Sequence, residues 1–123
     1  MWIFVLGQYS TGAHHWILSN ETSTQFGSWG QGTQTAPTIQ LNQWINIVTT
    51  FDGTTFKCYK NGDIVASVST TFNFTNSQYN IGLRTGAEAF MNGKIATMKL
   101  YDRSLSEVEV SQNFNSLRSR FSI

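Results

Sequence analysis

The chain carries little charge: eight Lys and Arg against seven Asp and Glu make up 12% of its 123 residues, about half the usual share. The net charge of +1 is spread along the sequence. It forms no basic stripe of the kind that neutralises phosphates, so nucleic acid is not an expected partner. Cysteine is nearly absent too. Cys58 stands alone, which excludes an intrachain disulfide and a Cys-based zinc site, and its setting in Phe56-Lys57-Cys58-Tyr59 reads as a small buried hydrophobe on a strand. The single proline, Pro37, lies in a Gly/Gln/Thr stretch at 30–37 that reads as a surface loop. Nothing approaches the ~20 apolar residues of a membrane span, so membrane insertion is not expected. The opening run Met1-Trp2-Ile3-Phe4-Val5-Leu6 has no basic flank and is shorter than an export signal requires.

What the chain does have is apolar and aromatic content, 40% and 14%, enough for a packed interior in one domain spanning 1–123. With so few charges, the surface must be Ser, Thr, Asn and Gln, a character that suits extracellular, particle-surface or glycan-facing proteins. Runs at 2–9, 15–19 and 25–29 are rich in aromatic and β-branched residues and are separated by turn chemistry, which predicts three strands. Residues 44–51 form a fourth run, closed by Asp52-Gly53. Residues 55–60 run back with Phe56, Cys58 and Lys60 on one face and Lys57 and Tyr59 on the other, and Asn61-Gly62 turns the chain into 64–68. This is an antiparallel meander, and 79–83 and 90–101 complete the expected strands. No helical pattern separates any pair, which argues for a sandwich and against α/β folds. At the end, Ser106 and Glu109 have the spacing of a capping box, Leu105 and Val110 that of a hydrophobic staple, and Val110, Phe114 and Leu117 recur on one helical stripe. A helix is expected at about 107–117.

The order of these motifs resembles a known family. Trp44-Ile45-Asn46-Ile47-Val48-Thr49-Thr50-Phe51-Asp52-Gly53, then Tyr59-Lys60-Asn61-Gly62, Gly93-Lys94-Ile95-Ala96 and Tyr101-Asp102-Arg103-Ser104-Leu105-Ser106 are similar to the concanavalin A-like lectin/glucanase superfamily, in its LamG or pentraxin-like branch. The ending, Glu109-Val110 through Arg118-Ser119-Arg120-Phe121, is similar to versions in phage and large-virus structural proteins and bacterial surface proteins. The resemblance covers about 40–121 and implies an all-β antiparallel β-sandwich, a LamG-like jelly roll. It also implies that the sandwich is short on its N-terminal side, with strands supplied by another copy or a neighbour. Trp44 is expected to plug the end of the sandwich, and Asp102 and Arg103 to lock the corner before the helix.

The glucanase branch of the superfamily hydrolyses glycosides with a Glu-x-Asp-x-x-Glu strand, whose acid and nucleophile stand about 5 Å apart. The acids here are Glu21, Asp52, Asp63, Glu88, Asp102, Glu107 and Glu109, and none forms that arrangement. No catalytic residue is therefore assigned, and the chain is expected not to be an enzyme. His14-His15-Trp16 has three readings. On a strand the two imidazoles point to opposite faces and chelate a metal poorly. Trp16, Trp29 or Tyr9, with His15 and Asn20 as hydrogen-bonding groups, could line a sugar platform. Packing of Trp16 with a solvated His15 is the plainest reading. Calcium, which many relatives bind, needs six to eight oxygens, and only isolated acids occur here, so no metal ligand is assigned. The expected partners are neighbouring subunits of an assembly, a virion or a cell surface, or a second copy, with a glycan as the alternative.

Overall fold

The computed structural model describes residues 2–7, 14–19, 24–28, 33–36, 40, 42–71, 79–83 and 90–123. For the first four strands it gives the backbone together with the side chains of Gln25 and Phe26. Among the described residues there are eight strands: β1 (Trp2–Gly7), β2 (His14–Ser19), β3 (Thr24–Ser28), β4 (Thr33–Ala36), β5 (Ile47–Phe51), β6 (Thr55–Lys60), β7 (Asp63–Ser69) and β8 (Tyr79–Ile81). One helix, α1 (Glu107–Phe121), follows. The strands form two antiparallel sheets, one of five in the order β4-β3-β2-β1-β8 and one of three in the order β5-β6-β7. The all-β sandwich with a C-terminal helix is therefore the observed architecture.

The sheets meet through a small apolar core. Phe26 of β3 is fully buried, and its ring lies 5.3 Å from that of Phe56 on β6. Cys58 joins them, with Ile47 and Phe51 of β5 and Val65, Ala66 and Val68 of β7 packed around. The alternation of β6 sets this face, and the opposite face carries Lys57 and Tyr59. There Tyr59, Leu105 and Val110 form a second cluster with Val48 against it, so α1 lies on the outer face of the small sheet. Burial holds the Cys58 thiol up at about 12, which makes it a packing group.

Local chemistry explains the connections. Lys60 pairs with Asp63 across the two-residue turn Asn61-Gly62, whose φ values of 52° and 86° are both positive, as a tight hairpin turn of this kind requires. Asp52 acts differently from a simple two-residue turn. Its Oδ1 accepts from the N–H of Thr54 (2.9 Å), the N–H of Thr55 (2.7 Å) and the hydroxyl of Thr54 (3.0 Å), pinning a wider loop between the paired Phe51 and Phe56. The capping box is complete: Ser106 Oγ accepts from Glu109 N–H, and Glu109 Oε2 accepts from Ser106 N–H at 2.8 Å.

Four expectations need correction. Residues 33–36, read as part of a loop, form β4, because β3 offers them a partner and Thr suits an edge strand. Residues 90–101, read as a strand, contribute only the bridge of Phe90 to Leu83; residues 92–101 belong to no strand and are exposed. The helix runs on to Phe121, whose ring lies 5.4 Å from that of Trp44, and stops at Ser122 in the left-handed conformation with φ 56°. Trp44 therefore covers the helix end, 38% exposed, and does not plug the sandwich.

Candidate functional site

Two of the sequence-selected residues lie on β2. Phe26 pairs with Ile17, and paired residues share a face, so position 17, and with it position 15, lies on the core face. Trp16 occupies the opposite face, paired with Gly27 on one side and Val5 on the other. His15 and Trp16 are thus set on opposite faces of the five-stranded sheet. Tyr9, Asn20 and Trp29 lie outside the described residues, as do Glu21 and Glu88. Among the described residues no three His, Cys, Asp or Glu side chains gather as a metal cluster.

A groove of about 290 Å³ opens where the small sheet meets the start of α1. Its floor is Thr50, Lys57 and Tyr59, its end Asp52 and Thr55, and its wall residues 104–107. Lys57 Nζ donates to Glu107 Oε1 at 2.8 Å across 50 residues of sequence, which raises the Lys57 pKa. Backbone N–H groups of Thr54 and Thr55, with the Thr54 hydroxyl, hold the Asp52 carboxyl below the usual carboxylate range. Behind the wall, Arg103 grips both oxygens of Glu109, at 3.0 and 2.6 Å, and with the Ser106 donors brings Glu109 down to about 2. Of the two charges expected to lock the corner, Arg103 does so, through Glu109 and the Ser104 carbonyl, whereas Asp102 acts on it only through its charge. Asp52 and Glu109 are thus kept ionised, the reverse of what a proton-donating acid requires. Hydroxyls and an ion pair make the groove a polar contact surface.

On the opposite flank, the described residues present an apolar surface that no other described element covers. In the small sheet β7 packs beside β4, and β6 lies over β3 through Phe56 and Phe26, which leaves β5 as the last strand toward β1 and β8. The core-facing row runs from Phe26 through positions 17 and 4 to Ile81, and Ile81 is 53% exposed. Tyr79, on the same face, and Phe90 are exposed as well, Phe90 by 70%. Among the described elements, no strand of the small sheet packs extensively on β1 or β8.

A family model described as the concanavalin A-like lectin/glucanases superfamily, of laminin-G type, matches residues 2–111. Domains of this type are typically non-catalytic binding modules. No curated protein matches the chain. Among solved structures, the chain is similar to residues 221–444 of an S-layer domain-containing protein from Clostridium thermocellum, with 21% identity and a TM-score of 0.56 over 93% of this chain and 62% of that one. The chain therefore spans less than two thirds of that structure, and the likeness is one of fold.

Proposed function

Because the chain belongs to the concanavalin A-like lectin/glucanase superfamily through residues 2–111, we propose that it is a non-catalytic structural or decoration subunit that docks on its neighbours at the surface of a larger assembly, a virion or a cell-surface layer. The observation that supports this reading is the open flank: among the described residues five strands face three, and the core-facing row ends in a half-exposed Ile81. Such a flank exposes apolar surface and strand edge together, the combination that invites another chain. The low charge of the sequence favours close packing against like subunits. A surface setting is also compatible with the solved relative being an S-layer domain-containing protein. The test is association. Sedimentation velocity over a wide concentration range, with and without the native particle or envelope, should give self-association or saturable capture; a free monomer throughout would contradict the reading.

A second reading, a carbohydrate-binding module, is favoured by the position of Trp16 on the face away from the core, beside Gly27. Tryptophan is a residue type whose ring can stack on a sugar. A glycan array, with Trp16→Ala and Trp29→Ala as controls, distinguishes it. Specific binding lost in either variant favours the lectin, and silence across the array leaves the docking role.

A further inference from the structure

The sequence contains two Asn-Gly pairs, Asn61-Gly62 and Asn92-Gly93, and the structure places them in contrasting surroundings. An Asn followed by Gly is chemically labile, because Gly has no Cβ to crowd its own nitrogen as it approaches the preceding side-chain amide, and its backbone swings freely into position. How firmly the pair is held then decides whether the approach occurs. Asn61-Gly62 is held on both sides. Asn61 Oδ1 accepts from the Asn46 N–H at 2.9 Å, the Asn61 N–H donates to the Asn46 carbonyl at 2.9 Å, and Gly62 sits against Phe114 of α1, whose Cδ1 would lie 2.8 Å from an added Cβ. Asn92-Gly93 has none of this. Both residues are exposed and outside any helix or strand, and among the described residues neither the Asn92 side chain nor the Gly93 N–H makes a hydrogen bond. The last anchor before the pair is the Met91 N–H, which donates to the Gly82 carbonyl at 2.7 Å.

We infer that Asn92 is a site of spontaneous deamidation and isoaspartate formation, and that the fold protects Asn61 from the same reaction. The Gly93 nitrogen, its proton given up to a solvent base, attacks Cγ of Asn92. The new N–Cγ bond closes a five-membered succinimide, and Nδ2 takes up a proton and leaves as ammonia. Water then opens the ring. Cleavage between the nitrogen and Cγ gives aspartate, and cleavage between the nitrogen and the Asn92 backbone carbonyl carbon gives isoaspartate, with the main chain rerouted through Cβ and Cγ. One water is consumed and one ammonia released, so no oxidant or further reactant is required. Either product replaces a neutral amide by a carboxylate beside Lys94, and the formal net charge falls by one from +1 to zero. The isoaspartyl product also lengthens the backbone between the Met91 anchor and Lys94. At Asn61 the same ring closure requires the side chain to leave the Asn46 N–H and the turn between the paired Lys60 and Asp63 to open, so reaction proceeds only from a locally open state. Asp52-Gly53 is guarded differently. The Thr54 and Thr55 N–H groups hold Asp52 as a carboxylate, which is a poor electrophile for the same attack.

Ageing of the full chain in mildly alkaline buffer, followed by tryptic peptide mapping, tests this. Cleavage after Arg84 and Lys94 isolates Asn92 as the single asparagine of peptide 85–94, and fragmentation of peptide 61–84 reads Asn61 separately. In the folded chain Asn92 should convert at least about tenfold faster than Asn61, with isoaspartate the larger product, and in urea Asn61 should accelerate to the rate of Asn92. An isoaspartyl methyltransferase with labelled S-adenosylmethionine should label peptide 85–94 of the aged chain. Asn92→Gln, whose longer side chain closes the ring far less readily, should lose that label and keep the melting point. Conversion of Asn92 no faster than that of Asn61 in the folded chain, or an aged peptide 85–94 that takes up no label, would overturn the assignment. An Asn61 rate that stays low in urea would overturn the protective role of the fold.

Discussion

Gly62 is the position at which the small sheet, its second turn and α1 make their closest demand on one another. Its φ of +86° is one that residues with a side chain adopt at a cost, and a Cβ built there meets Phe114 Cδ1 at 2.8 Å and Cγ at 3.2 Å. Gly62→Ala therefore combines two penalties. The left-handed backbone costs about 1–2 kcal/mol, and forcing Phe114, which is largely buried, away from its seat adds about 1–3 kcal/mol. Gly53→Ala is the internal control, since Gly53 has φ +103° and nothing within 4 Å of an added Cβ. It should carry only the backbone penalty, about 1–2 kcal/mol. Urea unfolding of the two variants should then differ by about 1–3 kcal/mol, with Gly62→Ala the less stable, and melting points should separate by roughly 4 °C per kcal/mol. Equal losses would refute the claim that Phe114 is seated on this turn. So would a Phe114→Ala background in which Gly62→Ala still costs more than Gly53→Ala.

Other consequences follow from the same contacts. Ser106→Ala removes the acceptor of the Glu109 N–H and should cost about 1 kcal/mol, read by far-ultraviolet circular dichroism during thermal unfolding. Glu109, ordinarily near 4.5, is held down at about 2, so the folded state prefers its carboxylate; the stabilisation is complete above about pH 4.5 and is lost as pH falls toward 2. Glu109→Gln should flatten that acid limb, and an unchanged limb would mean that the Arg103 pair contributes nothing. Cys58, buried and with its thiol pushed up to about 12, should react with a disulfide reagent at neutral pH only as fast as the chain unfolds; rapid modification of the native protein would contradict its place in the core.

The features legible in the sequence are those whose cause is local. Asn61-Gly62 needs two positive φ values, and Ser106 with Glu109 needs one turn of helix; both are written in adjacent residues and both are found. The alternation of Phe56, Cys58, Lys57 and Tyr59 likewise anticipates which face meets which neighbour. Pairing is a different matter. Residues 33–36 have no apolar alternation and become a strand because β3 lies beside them, whereas 90–101 look like a strand and bear only one bridge. Periodicity reports what a segment would do beside a partner and carries no information on whether the partner is there.

The site shows the same division. Arg103 and Glu109 lie six residues apart, and a corner lock by Arg103 could be anticipated from the charges just before the helix, although its partner Glu109 could not. The groove could not, since Lys57 meets Glu107 across 50 residues. Of the residues whose chemistry suggests a sugar platform, register divides the two that are described, with position 16 on the outer face and position 15 on the core face. The open flank emerges only when both sheets are counted together.

The central claim, that the open flank is where this subunit meets its neighbours, is tested most directly by lysine cross-linking of the native assembly followed by mass spectrometry. Lys94 and Lys99 lie on the exposed run that follows Phe90, which bridges to Leu83 just after β8 of that flank, whereas Lys57 is paired with Glu107 over the corner groove. Inter-subunit links should therefore concentrate at Lys94 and Lys99, with Lys57 linking within its own chain. Inter-subunit links confined to Lys57, or none at all from an assembly that retains the protein, would contradict the account.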